Sequence, residues 1–253
     1  MTARDLPRDP GLLRTHLRGP NGPRVGAAGR LPVRRFARDA RLEELLQSLQ
    51  RGFGPQAWWP AETPFEVIAG AILTQNTAWG NAERALARLR EGGGLTPARI
   101  LALAPPELEQ RVRPSGTFRG KARKLRAVSA WYLAAGGLDA LRRRPLEPLR
   151  DELLGVHGVG PETADAILCY AAGRLTPVVD AYARRVLGRH GLVAADAPYG
   201  SLRAWLLDQL EPEQVVFEEF HALCVRAGYN HCKPAARCAT CPVPAPSPST
   251  QGP

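Results

Sequence analysis

Four of the five cysteines in this sequence crowd toward its C-terminal end, and thiols so placed can bind a metal. The four are Cys224, Cys232, Cys238 and Cys241. The first 20 residues lack the apolar stretch of a secretory signal, and disulfides are rare in proteins that are not exported. The cluster therefore favours metal or iron–sulfur ligation over disulfide bonds.

A glycine-containing turn between two apolar helices is the second candidate site. Gly158 and Gly160 let the turn adopt positive φ and let another backbone come close. Pro161 suits the first position of the next helix, where no N–H is needed. The free N–H groups at that helix start carry partial positive charge, so the turn predicts a site for one DNA phosphate. An ordinary helix–helix loop is the alternative, because glycines in a turn are by themselves weak evidence.

The charge balance indicates a polyanionic partner. The 253 residues include 34 Lys and Arg against 24 Asp and Glu, which gives a formal net charge of +10. An arginine-rich proteome is the alternative explanation of this excess. Only three of the basic residues are lysines, Lys121, Lys124 and Lys233, which limits any chemistry that needs an amine.

The elements that must position these residues are helices. Apolar residues recur at helical spacing in nearly every segment between the chain ends, and only 176–179 is expected to be extended. Helices are predicted around 42–49 and at 64–73, 80–91, 106–112, 120–134, 148–155, 162–172, 181–190, 200–210 and 213–227. Because the sequence has no alternating strand pattern, the predicted fold class is all-α.

Both ends of the chain differ in composition from the middle. Residues 1–38 hold nine arginines among many Gly and Pro, which predicts a disordered basic arm. Residues 242–253 are rich in Pro and Ser and predict a disordered tail. No apolar run reaches the roughly 18 residues needed to cross a bilayer, so we expect a cytoplasmic protein without a membrane partner.

An aspartate at a predicted helix start lies in a segment that begins 17 residues after Gly160 of the glycine turn. It is Asp180, within a Pro-Val-Val-Asp-Ala-Tyr segment that begins at Pro177. Together with segments 65–77 and 114–125, this arrangement resembles the helix-hairpin-helix DNA glycosylase superfamily, and within it the endonuclease III family. The resemblance covers about residues 40–241. It implies a helical barrel over 62–174 that ends in the hairpin, and a second helical lobe from 39–61 and 175–241, with DNA in the cleft between them.

The resemblance also implies a role for Asp180. Cleavage of an N-glycosidic bond leaves positive charge on the sugar, and a fixed carboxylate stabilises that charge and activates a water. A plain helix N-cap is the alternative function of this residue, and the two are compatible.

The lysine that gives some family members a strand-cutting activity is replaced here. At that hairpin position stands Glu162, followed by Thr163. A carboxylate cannot form the imine that this lyase chemistry requires, so we expect a monofunctional enzyme.

The same resemblance predicts the base specificity. Glutamate in place of the hairpin lysine is similar to the 3-methyladenine glycosylase branch. In that branch a Trp-Trp-Pro segment and an aromatic after Thr-Gln-Asn-Thr line the pocket for the flipped base. The corresponding residues here are Trp58, Trp59, Pro60 and Trp79. Aromatic faces attract an electron-poor alkylated purine, although tryptophans more often belong to a core.

Several further residues are expected to contact DNA by the same resemblance. Gln75 would fill the space left by the flipped base, and the loop 115–118 would wedge the opposite strand. Phosphate contacts are expected at Lys121 and Lys124 and at the hairpin residues Gly158, Gly160 and Thr163.

The cysteine spacing departs from the family pattern, in which four cysteines spaced six, two and five residues apart hold a [4Fe–4S] cluster. Here Cys232, Cys238 and Cys241 match the first three with one residue lost, and the fourth is missing. Cys224 could replace it only if the chain bends after its helix. A zinc site and no metal at all remain open.

The sequence thus predicts a monomeric, monofunctional glycosylase for alkylated purines, such as 3-methyladenine, in double-stranded DNA, associated with the nucleoid through that DNA. An endonuclease III-type glycosylase for oxidised pyrimidines is the alternative enzyme. A non-catalytic helix-hairpin-helix DNA-binding module is the alternative outside enzymes.

Overall fold

The computed structural model describes residues 32–56, 59 and 61–243, and the regular structure of this part is helical. Its only pairing of extended residues is an isolated antiparallel bridge between Ala37 and Leu210. The predicted all-α class is therefore confirmed. No helix of the described part is long and apolar enough to cross a membrane.

The chain divides into two units. Of the described residues, the first unit holds Trp59–Arg174, and the second holds 32–56 together with 175–243. Trp59 and Ala61 therefore belong to the first unit, whereas the sequence predicts that 39–61 belongs to the second lobe. The reason is packing, because the indole of Trp59 lies against Gly70 of the first unit and stacks at a tilt on Tyr170.

The helices of the first unit surround one buried helix, α2. In chain order they are α2 (Pro64–Leu73), α3 (Trp79–Arg90), α4 (Pro97–Ala102), α5 (Pro105–Val112), α6 (Phe118–Ala134), α7 (Gly137–Arg143), α8 (Leu146–Leu154) and α9 (Pro161–Ala166). Thr63 caps α2 by accepting from the Glu66 N–H, and every residue of α2 after Pro64 is buried. This helix packs on α3, α6 and α9, and its one charged side chain, Glu66, pairs with Arg90 of α3.

Helix α9 does not end at Ala166 but continues in π-helical form over Ile167–Ala171. Such wide turns are rare and often occur at functional sites. All five residues of the π-helical segment are buried, and among them is Tyr170.

One ion pair joins the two helices of the hairpin. Arg150 of α8 donates from Nε and Nη2 to the two carboxylate oxygens of Asp165 in α9, at 2.9 and 3.0 Å. The Asp165 side chain is fully buried and that of Arg150 nearly so. A bidentate pair of this kind fixes orientation as well as distance, so α8 and α9 are held in one register.

The second unit is built around α12 (Gln214–Asn230), which packs on α1 (Ala40–Phe53) and α10 (Ala181–Arg189), with α11 (Tyr199–Gln209) between α10 and α12 in the chain. Asp39 caps α1 by accepting from the N–H groups of Arg41 and Leu42. Gly228 lets α12 approach α10, because a Cβ there would lie 2.4 Å from Cδ1 of Tyr182.

The two predicted disordered ends are partly wrong. Residues 1–31 and 244–253 lie outside the described residues, but Val33, Phe36 and Ala37 are buried, and the bridge to Leu210 fixes this segment. At the other end, Val243 is buried, and Pro242 contacts Gly52 so closely that no Cβ would fit there. In both cases a few apolar residues next to a polar tract pack on the nearest helices.

Candidate functional site

Asp180 stands at the N-terminus of α10 and caps it. Its Oδ1 accepts from the Ala183 N–H at 2.7 Å, which fixes the carboxylate. Its Oδ2 lies 3.7 Å from Nε2 of His221 in α12, and the two side chains are 13% and 7% exposed. The expected cap is therefore present, and it leaves the second oxygen directed at a nearly buried imidazole. His221 was not predicted, because a single histidine in an apolar helix gives no sequence signal.

The groups around Asp180 respond to its charge. Burial raises the pKa of the Tyr182 hydroxyl above its usual range, and the Asp180 carboxylate adds to that rise. Burial raises the pKa of the Cys224 thiol well above its usual range, and Asp180 and then Cys232 add to it. Both groups therefore stay neutral near pH 7.

The hairpin between α8 and α9 has the predicted glycine geometry at one position. Gly158 has φ of +83°, a conformation that residues with a side chain rarely adopt. A Cβ there would also lie 2.2 Å from Cγ of Lys124 and would displace that side chain. Gly160 is extended and precedes Pro161 at the start of α9. Glu162, which stands at the position that the resemblance assigns to the lyase lysine, is exposed in the first turn of α9. Phosphate binding by this turn stays a prediction.

Gln75 is held against the hairpin. Its Nε2 donates to the Gly158 carbonyl and to the Thr163 hydroxyl, both at 3.0 Å. Its Oε1 accepts from Nζ of Lys124 at 2.6 Å. The predicted DNA contacts Gln75, Lys124 and Thr163 thus bind one another in the DNA-free protein.

Lys121 is not the surface cation that the sequence predicted. Its side chain is 2% exposed, and Nζ donates to the carbonyls of Leu73 and Ser115 at 2.7 and 2.6 Å. Burial lowers the pKa of Lys121 to about 8, and the charge of Lys124 contributes. Its carbonyl partners lie at the ends of α2 and of the 3-10 turn Arg113–Ser115, where carbonyls lack helical partners. Lys121 therefore joins two turns inside the first unit, where its side chain is almost closed to solvent.

Two turns next to these lysines contain left-handed residues other than glycine. Asn76 has φ of 52° and Thr117 has φ of 40°, and both are exposed. This conformation costs on the order of 1 kcal/mol and persists only where the surroundings hold it. The strain marks the tips of the two loops that the sequence associated with DNA.

Two of the tryptophans expected to line a base pocket contact each other, together with one aromatic residue that was not predicted. Trp59 and Trp79 meet edge to face at 5.8 Å between ring centroids, and Tyr170 lies 5.1 Å from Trp59. The indole N–H groups of both tryptophans are buried, and neither has a hydrogen-bond partner among the described residues. Trp58 and Pro60 lie outside the described residues. Tyr170 was missed because the π-helical segment shifts the helical spacing from which its direction would be read.

The C-terminal cysteines differ in exposure, and the described residues do not arrange them as a four-thiolate site. Cys224 is fully buried in α12, whereas Cys238 is exposed. Nη1 of Arg189 lies 3.3 Å from Sγ of Cys232, and the same guanidinium donates to the carbonyls of Lys233 and Pro234. Within the described part, no three His, Cys, Asp or Glu residues are grouped so that they could hold a metal ion. We therefore assign no chemical step to these cysteines.

The hairpin, the capping aspartate and the helical architecture agree with a known family model. The model of the HhH-GPD superfamily, described as base excision DNA repair proteins, matches residues 69–212. The chain belongs to this superfamily. The match begins inside α2 and includes the hairpin and Asp180.

Individual HhH-GPD relatives are similar over most of the chain. A candidate DNA repair glycosylase of Methanocaldococcus jannaschii is 38% identical over 194 residues, 76% of this chain and 88% of that protein. An endonuclease III trapped with DNA as a covalent intermediate has a TM-score of 0.66 at 27% identity, over 78% of this chain and 90% of the other. A 3-methyladenine DNA glycosylase of H. pylori bound to 1,N6-ethenoadenine has a TM-score of 0.62 at 28% identity, over 74% and 96%. The predicted superfamily and the endonuclease III family are confirmed.

Lys121→Met is expected to change the pH dependence of stability. The pKa of Lys121 is about 8 in the folded protein against an ordinary 10.5, so between these values the unfolded chain holds a proton that the folded one lacks. The stability contributed by Lys121 therefore rises with pH in this window, by up to about 1.4 kcal/mol per pH unit. Urea unfolding of both proteins at pH 7, 8, 9 and 10 measures the difference, and a constant difference would contradict the assignment.

Proposed function

We propose that this protein is a monofunctional DNA glycosylase that releases alkylated purines, such as 3-methyladenine, from double-stranded DNA. The observation that carries the proposal is the carboxylate of Asp180, fixed at a helix start and mostly removed from solvent. The family supplies the class of reaction, base excision, and this chain's residues supply the arguments for the finer assignment.

The chemistry assigned to Asp180 follows from charge. The bond between the base nitrogen and the sugar C1′ breaks, and the bonding electrons leave with the base. Positive charge develops on the sugar, where a fixed carboxylate stabilises it. Water then adds to C1′ and gives its proton to the carboxylate. Because Oδ1 of Asp180 is engaged by the Ala183 N–H, we assign this step to Oδ2.

An alkylated purine suits such a site. It carries positive charge before cleavage and leaves as a neutral base, so the reaction requires no separate proton donor. The cluster of Trp59, Trp79 and Tyr170, in which Trp79 is the half-buried member, contains aromatic rings of the kind that attract a cationic, electron-poor ring. The likeness to a glycosylase named for 3-methyladenine supports the same class.

The assignment as monofunctional rests on Glu162. This side chain is exposed in the first turn of α9 and can neither attack C1′ as an amine nor form an imine. The two lysines of the first unit are engaged with Leu73, Ser115 and Gln75.

A glycosylase for oxidised pyrimidines is the second candidate. It is favoured by relatives named endonuclease III, among them one from Thermotoga maritima that is 29% identical over 193 residues. Release of the base from methylated rather than oxidised duplexes separates the two candidates.

Asp180→Asn is expected to lower single-turnover release of 3-methyladenine about 100-fold or more, with DNA affinity nearly unchanged. Asparagine can still accept from the Ala183 N–H, so the helix cap is retained. Asp39→Asn is the matched control, because Asp39 caps α1 in the same way. This control variant should release the base at the wild-type rate. Wild-type release by Asp180→Asn would show that another residue carries the reaction.

Borohydride is expected to trap no adduct between the wild-type protein and methylated DNA or abasic DNA, because no imine forms at Glu162. Glu162→Lys is the matched variant, in which an amine at this exposed position should give a trapped adduct. Trapping by the wild type that is lost on changing Lys121, Lys124 or Lys233 would contradict the monofunctional assignment.

Trp79→Ala is expected to lower release of 3-methyladenine roughly 10- to 100-fold, because the flipped base loses a stacking face worth about 1–3 kcal/mol. Trp205→Ala, which removes a half-buried tryptophan of the second unit, is the control. Melting temperatures of both variants are measured together with single-turnover rates. If Trp79 is a core residue, stability falls by about 3–5 kcal/mol and release falls only with the folded fraction.

A further inference from the structure

Two of the three lysines in this chain lie one helical turn apart in α6, in a protein that otherwise carries 31 arginines among its 34 basic residues. Lys121 and Lys124 lie on the same face of the helix, as residues three apart do. Both ammonium groups make hydrogen bonds of 2.6–2.7 Å to other residues of the first unit.

Lys121 joins two turns. Its ammonium bridges the carbonyl of Leu73, at the end of α2, and the carbonyl of Ser115, at the end of the preceding 3-10 turn. The left-handed residues Asn76 and Thr117 follow these two anchors by three and two positions. Both turns are further closed by single backbone hydrogen bonds, from Thr77 N to Thr74 O and from Gly116 N to Arg113 O.

Lys124 joins the first of these turns to the hairpin. Its stem covers Gly158, and its ammonium donates to Gln75, whose amide in turn donates to Gly158 and Thr163. Without Lys124 the Oε1 of Gln75 would lose its donor and the side chain one of its anchors. The Gly158 carbonyl can only accept, so it and the ammonium favour the same orientation of this amide, with Nε2 toward the hairpin.

A lysine suits these positions better than an arginine. The Lys121 site is almost closed to solvent and presents two carbonyls within 2.7 Å of one nitrogen. A compact ammonium with three donors can satisfy both, whereas a planar guanidinium is larger and spreads its donors over a fork.

We propose that Lys121 and Lys124 are positioning residues that hold three loops in one arrangement before DNA binds: the turn 74–77, the turn 115–117 and the hairpin 155–160. Lys124 acts through Gln75. The proposal rests on the proposed function only in assigning these loops to DNA, and the contacts among them are independent of it.

The first test uses the DNA-free protein and hydrogen exchange. Lys124→Met should speed exchange of the Thr77 amide about 10-fold, and Lys121→Met should do the same for Gly116, because each loop loses an anchor. Arg123→Met is the matched control, since it removes the same charge from the exposed face of the same helix and should change neither amide. Unchanged exchange at both loops in the lysine variants overturns the proposal, whether or not the protein releases bases.

The second test is a double-mutant cycle in single-turnover release of 3-methyladenine. Lys124→Met and Gln75→Ala should each lower the rate about 10-fold at saturating enzyme, and the double variant should also be about 10-fold slower. Additive effects, about 100-fold in the double variant, overturn the action through Gln75. If Lys124→Met melts early, all four proteins of the cycle are assayed at a lower temperature at which each remains folded.

Salt dependence separates positioning from phosphate binding. If Lys124 neutralised a phosphate, its loss would flatten the plot of log affinity against log salt by about 0.9. We expect the slope of Lys124→Met to equal that of the wild type, and a flatter slope would overturn the positioning role. A wild-type protein that releases no base would count against the proposed function alone, because the exchange test still decides the role of the lysines.

Discussion

The pair between Arg150 and Asp165 is the constraint on which the first unit depends. A carboxylate with no exposure is stable inside a protein only when it is paired and hydrogen-bonded, and here one guanidinium does both. Because the pair spans α8 and α9, it sets where the hairpin turn lies and where Thr163 points. Gln75 can then reach Gly158 and Thr163, and Lys124 can close over the glycine. Removal of one partner of such a pair typically costs about 3–5 kcal/mol.

The second unit uses a different device at Asp180. Here the carboxylate satisfies a helix N-terminus with one oxygen, so its position follows from backbone geometry and not from a cation. The nearly buried His221 lies beside the other oxygen, and the raised pKa values of Tyr182 and Cys224 keep those neighbours uncharged. In the proposed reaction this carboxylate faces the sugar, whereas the carboxylate of Asp165 is paired with Arg150.

The sequence predicted the features that depend on local chemistry. Pro161 at a helix start, the positive φ of Gly158 and the cap at Asp180 follow from residue type and spacing, and the structure has all three. The short helices α4 and α7 were missed, because each buries a single apolar residue and shows no full apolar period. Burial that depends on contacts between distant parts of the chain could not be predicted either. Nothing near Lys121 in the sequence indicates that its partners are the carbonyls of Leu73 and Ser115.

The π-helical segment Ile167–Ala171 has a consequence for how base recognition can change in this family. A wide turn accommodates an additional residue within a helix, and each residue turns an α-helix by about 100°. Loss of one residue there would return the segment to α-helical winding and rotate Tyr170 away from Trp59, while the hairpin before it kept its register. A single-codon deletion could therefore replace one wall of the aromatic cluster without altering Asp180 or the loops. Under the proposed function, a change of helical winding alone would thus alter the aromatic cluster while the residues assigned to the chemistry stayed the same.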